Sequence, residues 1–242
     1  LETAADVTGA GQAVDAAAVV AALAGPRLRY DKAADNHYDQ VSAFIKSLRG
    51  SDPDAAVYWL VRMLAAGEDP RFLARRMVIL AGEDVGLADP RALQVAVAAF
   101  QALDVVGLPE ARYALAEAAV YLALAPKSNS VTQALIRADA AVERLGNAPV
   151  PVHLRDAHYK GEGRAPARPE GGDPRGVARL GHGYAYPHDD ARGWVEQRYL
   201  PEGLEPGAVY LPGPHGAEKD LAAWRRSRPD ADGTDPGPPA GQ

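Results

Sequence analysis

Apolar residues recur three to four positions apart from about residue 38 to residue 145, in segments separated by short polar breaks. This spacing is the period of an α-helix with one buried face. It predicts helices over residues 38–48, 53–66, 70–83, 90–105, 109–124 and 129–145. Because the connections are short, neighbouring helices are expected to pack antiparallel or at steep angles. The pattern therefore predicts an all-α domain.

The predicted helices share their start and stop signals. An Asp before a Pro caps the first turn with its carboxylate, and the Pro needs no amide partner there. This dipeptide occurs at Asp52–Pro53, Asp69–Pro70 and Asp89–Pro90. A glycine just beyond a helix takes up a left-handed conformation easily. Such glycines are predicted at Gly50, Gly67, Gly86, Gly107 and Gly146.

The helical period stops at about residue 147, and prolines and glycines become frequent. The sequence predicts four regions. Residues 1–26 are the tail of a preceding unit, and residues 27–146 form a helical oligomerisation domain. Residues 147–211 form a loop-rich, partly extended segment packed on the bundle, and residues 212–242 form a short helix with a disordered tail. Within the third region, residues 160–177 are expected to be a mobile insertion. The first residue is Leu1 rather than Met, so a piece of a longer protein is expected.

Composition narrows the possible functions. The formal charge of −6 argues against a chain that binds nucleic acid through its overall charge. With no cysteine, disulfides, thiolate metal sites and cysteine nucleophiles are excluded. The sequence contains no P-loop motif and no charge-free apolar run of about 18 residues, the length of a membrane span. Neither catalytic nor cofactor-binding residues are predicted, and a cytoplasmic location is expected.

Two predicted helices, 53–66 and 90–105, are apolar on nearly every face. A surface helix of a small bundle normally keeps a polar stripe, and about 110 residues cannot bury all of these faces. A second subunit is therefore expected to cover some of them. The candidate interface consists of Trp59, Leu60, Met63 and Phe100.

A basic cluster on the helix over 70–83 offers a second kind of site. Helical spacing predicts one face for Arg71, Arg75 and Arg76, which could contact DNA or a partner protein. Carboxylates follow in the same segment, so an ion-paired or interface face is the favoured interpretation.

A catalytic or metal site is suggested most strongly by residues 179–203, "RLGHGYAYPHDDARGWVEQRYLPEG". His182, His188 and Asp189 could act in a metal-dependent hydrolase, with a further ligand from His153, Asp156 or His158. Histidines in a Gly-rich loop beside Tyr186 and Trp194 more often fix loop geometry. A structural role is the favoured interpretation.

Long phrases of the sequence resemble one family. They are "RYDKAADNHYDQVSAFIKSLRGSDPDAAVYWLVRMLAAGEDPRFLARRMVILAGEDVGLADPRAL", "EARYALAEAAVYLALAPKSNSV", "PVPVHLRDAHYK" and "RLGHGYAYPHDDARGWVEQRYLPEGL". In this order they resemble the C-terminal region of the replication-associated recombination protein A family (RarA or MgsA), relatives of the Werner helicase-interacting protein. The resemblance covers about residues 27–211. Two departures are the inserted "EGRAPARPEGGDPRGV" at 162–177 and the alanines of "YDKAAD".

The resemblance implies a function that composition alone does not give. It implies a clamp-loader-like AAA+ ATPase in replication, recombination and DNA repair, with ATP and magnesium bound by an N-terminal module. Residues 1–26 would then be the end of the AAA+ lid domain. The helices then resemble a clamp-loader collar that carries homotetramer assembly. DNA and single-strand-binding protein are implied partners of the full-length protein, which would be associated with the nucleoid. For His182, Tyr186, His188, Asp189 and Trp194 the resemblance implies a structural loop signature rather than a metal site.

Overall fold

The structure is a computed structural model and describes residues 34–155, 179–180, 183–191 and 193–226. The described residues form seven α-helices: α1 Ala34–Arg49, α2 Pro53–Ala65, α3 Pro70–Leu80, α4 Arg91–Val106, α5 Arg112–Leu124, α6 Ser130–Leu145 and α7 Gly216–Arg226. The predictions for residues 1–26 and 160–177 lie outside the described residues. The predicted all-α class is confirmed, and α1 to α6 correspond to the six helices that the apolar period predicts.

The chain divides into two compact units. Unit 1 is Leu1–Asn129 and contains α1 to α5, whereas unit 2 is Ser130–Gln242 and contains α6 and α7. The boundary predicted between residues 146 and 147 therefore falls inside unit 2. In the described parts of both units, no helix is long and apolar enough to cross a membrane.

Two of the three Asp-Pro pairs cap their helices as predicted. The side chain of Asp52 accepts a hydrogen bond from the amide of Ala55, and that of Asp69 accepts one from the amide of Arg71, both at 2.9 Å. Asp89 accepts a longer bond of 3.2 Å from the amide of Arg91. The side chain of Asp89 also accepts hydrogen bonds from the Arg91 guanidinium and, from a distant part of the sequence, from the Tyr121 hydroxyl.

The helix ends follow the glycine prediction with one exception. The backbone φ angle is positive at Gly67, Gly86, Gly107 and Gly146. After α1, however, Ser51 takes the left-handed position, with φ 62°. Gly50 matters there for a different reason, because a Cβ atom at residue 50 would lie 3.0 Å from the carbonyl oxygen of Lys46. The prediction of a left-handed Gly50 is therefore wrong by one residue.

Helix α5 is the centre of the unit 1 bundle, since it contacts α1, α2, α3 and α4. The largest fully buried apolar side chains come from the helices and the turn after α3: Phe44, Leu48, Leu60, Met63, Leu73, Met77, Leu80, Val85, Leu115 and Leu122. Burying one such side chain stabilises the fold by roughly 1.5–3 kcal/mol. The bundle is thus organised by apolar contacts around one helix.

Helix α3 does not end in a simple cap. It continues into a π-helical turn, Ala81–Val85, and a 3-10 turn, Gly86–Ala88. Asp84 of the π turn accepts two hydrogen bonds from the Arg49 guanidinium, at 2.7 and 3.0 Å. Its carbonyl oxygen also accepts a 2.8 Å bond from the amide of Ser128. The π turn therefore joins the ends of α1 and α5, which the apolar period does not predict.

The described part of unit 2 has little regular structure besides α6 and α7. Two short strands, β1 Arg179–Leu180 and β2 Tyr184–Ala185, pair antiparallel. Helix α6 donates from Arg137 to the carbonyl of Val209 at 3.2 Å and from Arg144 to the carbonyl of Gly203 at 3.3 Å. Side-chain hydrogen bonds to backbone carbonyls thus attach the irregular segment to α6.

Candidate assembly surface

The predicted interface on α2 is partly inside the subunit. Leu60 and Met63 are 1% and 0% exposed in the core of unit 1. They share the core-facing side of α2 with Ala56, because the spacing of these residues is helical. Trp59 and Phe100 are partly buried and pack against the same core. The prediction that Leu60 and Met63 contact another subunit is therefore wrong, because their own subunit buries both side chains.

A group of strongly exposed apolar side chains lies elsewhere, around the connection between α4 and α5. We call residues 105–113 the corner. Val105 is 85% exposed and Tyr113 is 83% exposed, and Val106 and Leu108 are also exposed. A contiguous apolar patch exposed on a soluble protein often marks an interaction site. The corner is thus a candidate contact surface that the helical period does not identify, although the run "VVGLP" is visible in the sequence.

A groove of about 450 Å³ borders the corner, between α2 and the start of α5. Its α2 wall includes Val61 and Leu64, and its α5 wall includes Tyr113 and Ala116. These side chains make the groove mostly apolar. Its lining is therefore suited to binding apolar groups.

Two opposite charges line the groove near its apolar walls. Glu110 and Arg112 are exposed and lie two residues apart in the sequence. Within the described residues neither side chain has a salt bridge. Both charges are therefore available for pairing with another molecule.

The exposed side of α2 carries an ordered aromatic and cationic group. The Arg62 guanidinium lies over the Trp59 ring, 5.4 Å from its centroid. Arg62 also donates a 3.0 Å hydrogen bond to the hydroxyl of Tyr58. The Trp59 ring is thus held between Arg62 on its exposed side and the core of unit 1, against which it packs.

The three arginines of α3 do not form one free basic face. Arg71 pairs with Asp104 at 2.8 Å, and Arg75 lies 3.6 Å from Asp69. Arg76 is half-buried, and its Nε atom has no hydrogen-bond partner within the described residues. Two of the three positive charges are therefore already close to carboxylates, which lowers their attraction for phosphate.

Asp89 is a buried carboxylate that the sequence analysis treats only as a cap. It accepts a 2.6 Å hydrogen bond from the Tyr121 hydroxyl and a 2.9 Å bond from Nε of Arg91. The hydrogen bonds from Arg91 and then Tyr121 hold the pKa of Asp89 below its usual value, against the effect of burial. The hydrogen bond to Asp89 raises the pKa of Tyr121. The cluster links the start of α4 to α5 and is structural.

Lys127 closes the C-terminal end of α5. Its Nζ atom donates to the carbonyls of Ala123 and Ala125, at 2.9 and 2.6 Å, and to the hydroxyl of Ser51 at 3.2 Å. Burial lowers the pKa of Lys127, while the charge of Asp84 opposes this shift. Each of the three N–H groups of the Lys127 ammonium therefore has an acceptor within the bundle, so the role of this side chain is to cap the end of α5.

The described part of the loop signature contains no assembled metal site. Pro187–Asp189 form a 3-10 turn, and the rings of Tyr186 and His188 lie 5.2 Å apart. His188 and Asp189 are exposed, Trp194 is partly buried, and His182 lies outside the described residues. In the described stretches, no group of three or more candidate ligands is close enough to hold a metal ion.

Comparison with known proteins assigns most of the sequence to two family models. Residues 1–49 match the family described as "AAA C-terminal domain", and residues 50–228 match "MgsA AAA+ ATPase C terminal".

Several relatives are similar over most of this chain. Replication-associated recombination protein A of Bacillus subtilis (strain 168) is 44% identical over 185 residues, which cover 76% of this chain and 40% of the relative. The protein with the same name from Escherichia coli (strain K12) is 40% identical over 227 residues, or 91% and 47%. The ATPase WRNIP1 of Dictyostelium discoideum is 42% identical over 181 residues, or 74% and 19%. The chain therefore spans less than half the length of these relatives.

Proposed function

Because this chain belongs to the MgsA (RarA) family of AAA+ ATPases, as part of its C-terminal region, we propose that it is the oligomerisation and scaffold region of such a protein. It would hold several ATPase modules together, so that they act jointly on DNA during replication-fork maintenance, recombination and repair. ATP and Mg²⁺ would bind to the ATPase module, and this region would assemble it without catalysing a reaction itself. A homotetramer is the assembly that we propose.

The observation that carries this proposal is the exposed apolar corner of unit 1. Val105 and Tyr113 are more than four-fifths exposed, although their helices are packed into the bundle. Burying apolar surface stabilises an association by roughly 25 cal/mol per Å² before the costs of binding are subtracted. A contact between subunits would remove this surface from water, so the corner favours assembly.

Assembly would also keep the ATPase modules close to one another. Modules linked through a common scaffold experience each other at an effective concentration set by the linkage rather than by the solution. The noncatalytic surface described above fits this role, because it combines apolar side chains with a shaped groove.

A separate DNA-binding or single-strand-binding-protein-binding function of the α3 arginines is not favoured. Arg71 and Arg75 already lie beside Asp104 and Asp69. Binding to DNA and to single-strand-binding protein is therefore proposed for the full-length protein rather than for this face.

The mass of the chain in solution tests the proposal. Size exclusion with light scattering over a dilution series should give a mass of about 102 kDa, which is four times 25.5 kDa. Val105→Asp should reduce this mass, because it places a charge in the proposed contact. Val142→Asp is the matched control, since Val142 is an exposed valine near the end of α6. A mass of about 25.5 kDa at all concentrations would contradict the proposed function.

A further inference from the structure

The groove between α2 and α5 and the corner beside it belong to the same chain. Val61, Leu64 and Ala116 line the groove. Leu108 and Tyr113 of the corner are large, apolar and exposed. Each copy of the chain therefore has both an apolar recess and the apolar side chains that could enter one.

The charges at the groove are arranged for self-recognition. Glu110 and Arg112 are close in sequence and opposite in sign. A two-fold axis brings the same surface of two subunits together, so that residue i of one meets residue j of the other and the reverse. With the axis near residue 111, each carboxylate would face a guanidinium of the other copy.

We propose that this groove binds a second copy of the chain in a two-fold contact, in which Glu110 of each copy pairs with Arg112 of the other while the corners fill the grooves. The inference rests on the proposed assembly function and names the surface and symmetry that carry it. A homotetramer with two-fold symmetry would use this contact as one of its interfaces.

A second copy fits the groove better than an unrelated partner of one predominant charge. A purely acidic segment would meet Glu110, and a purely basic segment would meet Arg112. Two copies with a formal charge of −6 each also repel one another over a distance. A local pairing of opposite charges would offset part of this repulsion, and the reciprocal arrangement provides two such pairs.

Charge reversal tests the pairing directly. Each of the variants Glu110→Arg and Arg112→Glu would create two like-charged contacts at a two-fold interface, one at each end. We expect each variant alone to dissociate at a concentration at least about tenfold higher than the unmodified chain, measured by sedimentation velocity over a dilution series. Glu202→Arg is the matched control, because Glu202 is exposed and lies in unit 2, and it should leave the association unchanged.

Mixing the two single variants gives the decisive result. One variant carries two cations at the groove and the other carries two anions, so a mixed pair is complementary at both ends. The mixture should associate within about threefold of the unmodified chain, and so should the double variant Glu110→Arg/Arg112→Glu. Far-ultraviolet circular dichroism on each variant checks that the helices are intact.

The outcomes separate the two proposals. An unmodified chain that is monomeric at all concentrations contradicts the assembly function itself. An unmodified chain that associates, together with single variants that associate equally well, overturns only the groove contact and leaves assembly to another surface. Weakened single variants that recover neither on mixing nor in the double variant would overturn the reciprocal pairing.

Discussion

The two units of this chain are stabilised in different ways. Unit 1 buries a continuous apolar core to which each of the helices α1 to α5 contributes. The described part of unit 2 has only a small apolar cluster, Ala185 with Val195, and a few other buried apolar residues. Its loops are instead held by polar side chains that bond to backbone atoms.

Arg198 and Gln197 illustrate how polar side chains hold the loops of unit 2 in place. Arg198 donates to the carbonyls of Leu200, Pro201 and Leu204, at 3.1, 3.1 and 3.2 Å. Gln197 both donates to the carbonyl of Ala185 at 2.8 Å and accepts from its amide at 3.1 Å. A loop without helix or sheet partners still needs its backbone groups bonded, and long polar side chains supply those bonds. Irregular structure can therefore be specific without a large core.

The largest expected effect comes from the core of unit 1. Leu115→Ala removes a fully buried side chain of the central helix. The free energy of unfolding of unit 1 should fall by about 2–5 kcal/mol, because the apolar transfer energy is lost and a cavity remains. Urea unfolding followed by circular dichroism would measure this loss.

The matched control is Leu93→Ala, because Leu93 is 46% exposed on α4. Its unfolding free energy should change by less than about 0.5 kcal/mol. Equal losses in the two variants would show that burial in the bundle does not determine the stability of unit 1.

A smaller effect is expected in unit 2. Arg198→Ala removes the donor to three carbonyls, and partial exposure of this side chain moderates the loss. The opening free energy of residues 200–205 should fall by about 1–2 kcal/mol. Hydrogen exchange of the amides in this segment measures it, while the amides of α5 should exchange as before.

Arg198→Lys separates charge from geometry. A lysine keeps the positive charge but lacks the planar fork of donors, so the segment should recover only part of its protection. If Arg198→Ala left exchange over residues 200–205 unchanged, polar side chains would not be what holds unit 2 together.

The smallest effect tests a polar contact placed inside the apolar unit. Tyr121→Phe removes the hydroxyl that bonds to the buried carboxylate of Asp89. Unit 1 should lose about 1 kcal/mol of unfolding free energy at neutral pH. Urea unfolding should show the loss, and Tyr38→Phe, at an exposed tyrosine of α1, should show none.

The sign of the accompanying pH effect follows from the lowered pKa of Asp89 in the folded state. A lowered pKa contributes stability above the unfolded value of about 3.9, and this contribution is lost as the pH falls through the folded pKa. Asp89→Asn should therefore flatten the acid limb of the stability curve of unit 1. An acid limb as steep as that of the unmodified chain would contradict this assignment.

The helices of the bundle were predictable from sequence because apolar period, Asp-Pro starts and glycine ends agree with one another. The start of α5 was predicted at residue 109, three residues early, and the segment after α3 became a π turn that pairs with Arg49. Such contacts join residues far apart in sequence, so no local pattern contains them.

The candidate surface was predicted less well than the fold. The apolar period correctly indicates that α2 has a buried face, but it does not say whether its own subunit or another one covers Leu60 and Met63. The corner was missed because its apolar residues lie at the end of α4, in the connection and at the start of α5, so no single helical face contains them. The bonds of Arg198 are equally invisible, since they depend on where a loop returns in space.

The central position of α5 has a consequence for the motions of the protein. Because α5 contacts α1, α2, α3 and α4, its middle cannot be exposed to solvent unless those contacts separate together. The backbone amides of α5 should therefore exchange hydrogen with solvent more slowly than those of the other described helices. Their exchange rates should report the opening of the bundle as a whole. The corner ends in the first turn of that helix, so α5 joins an exposed contact surface to the cooperative core.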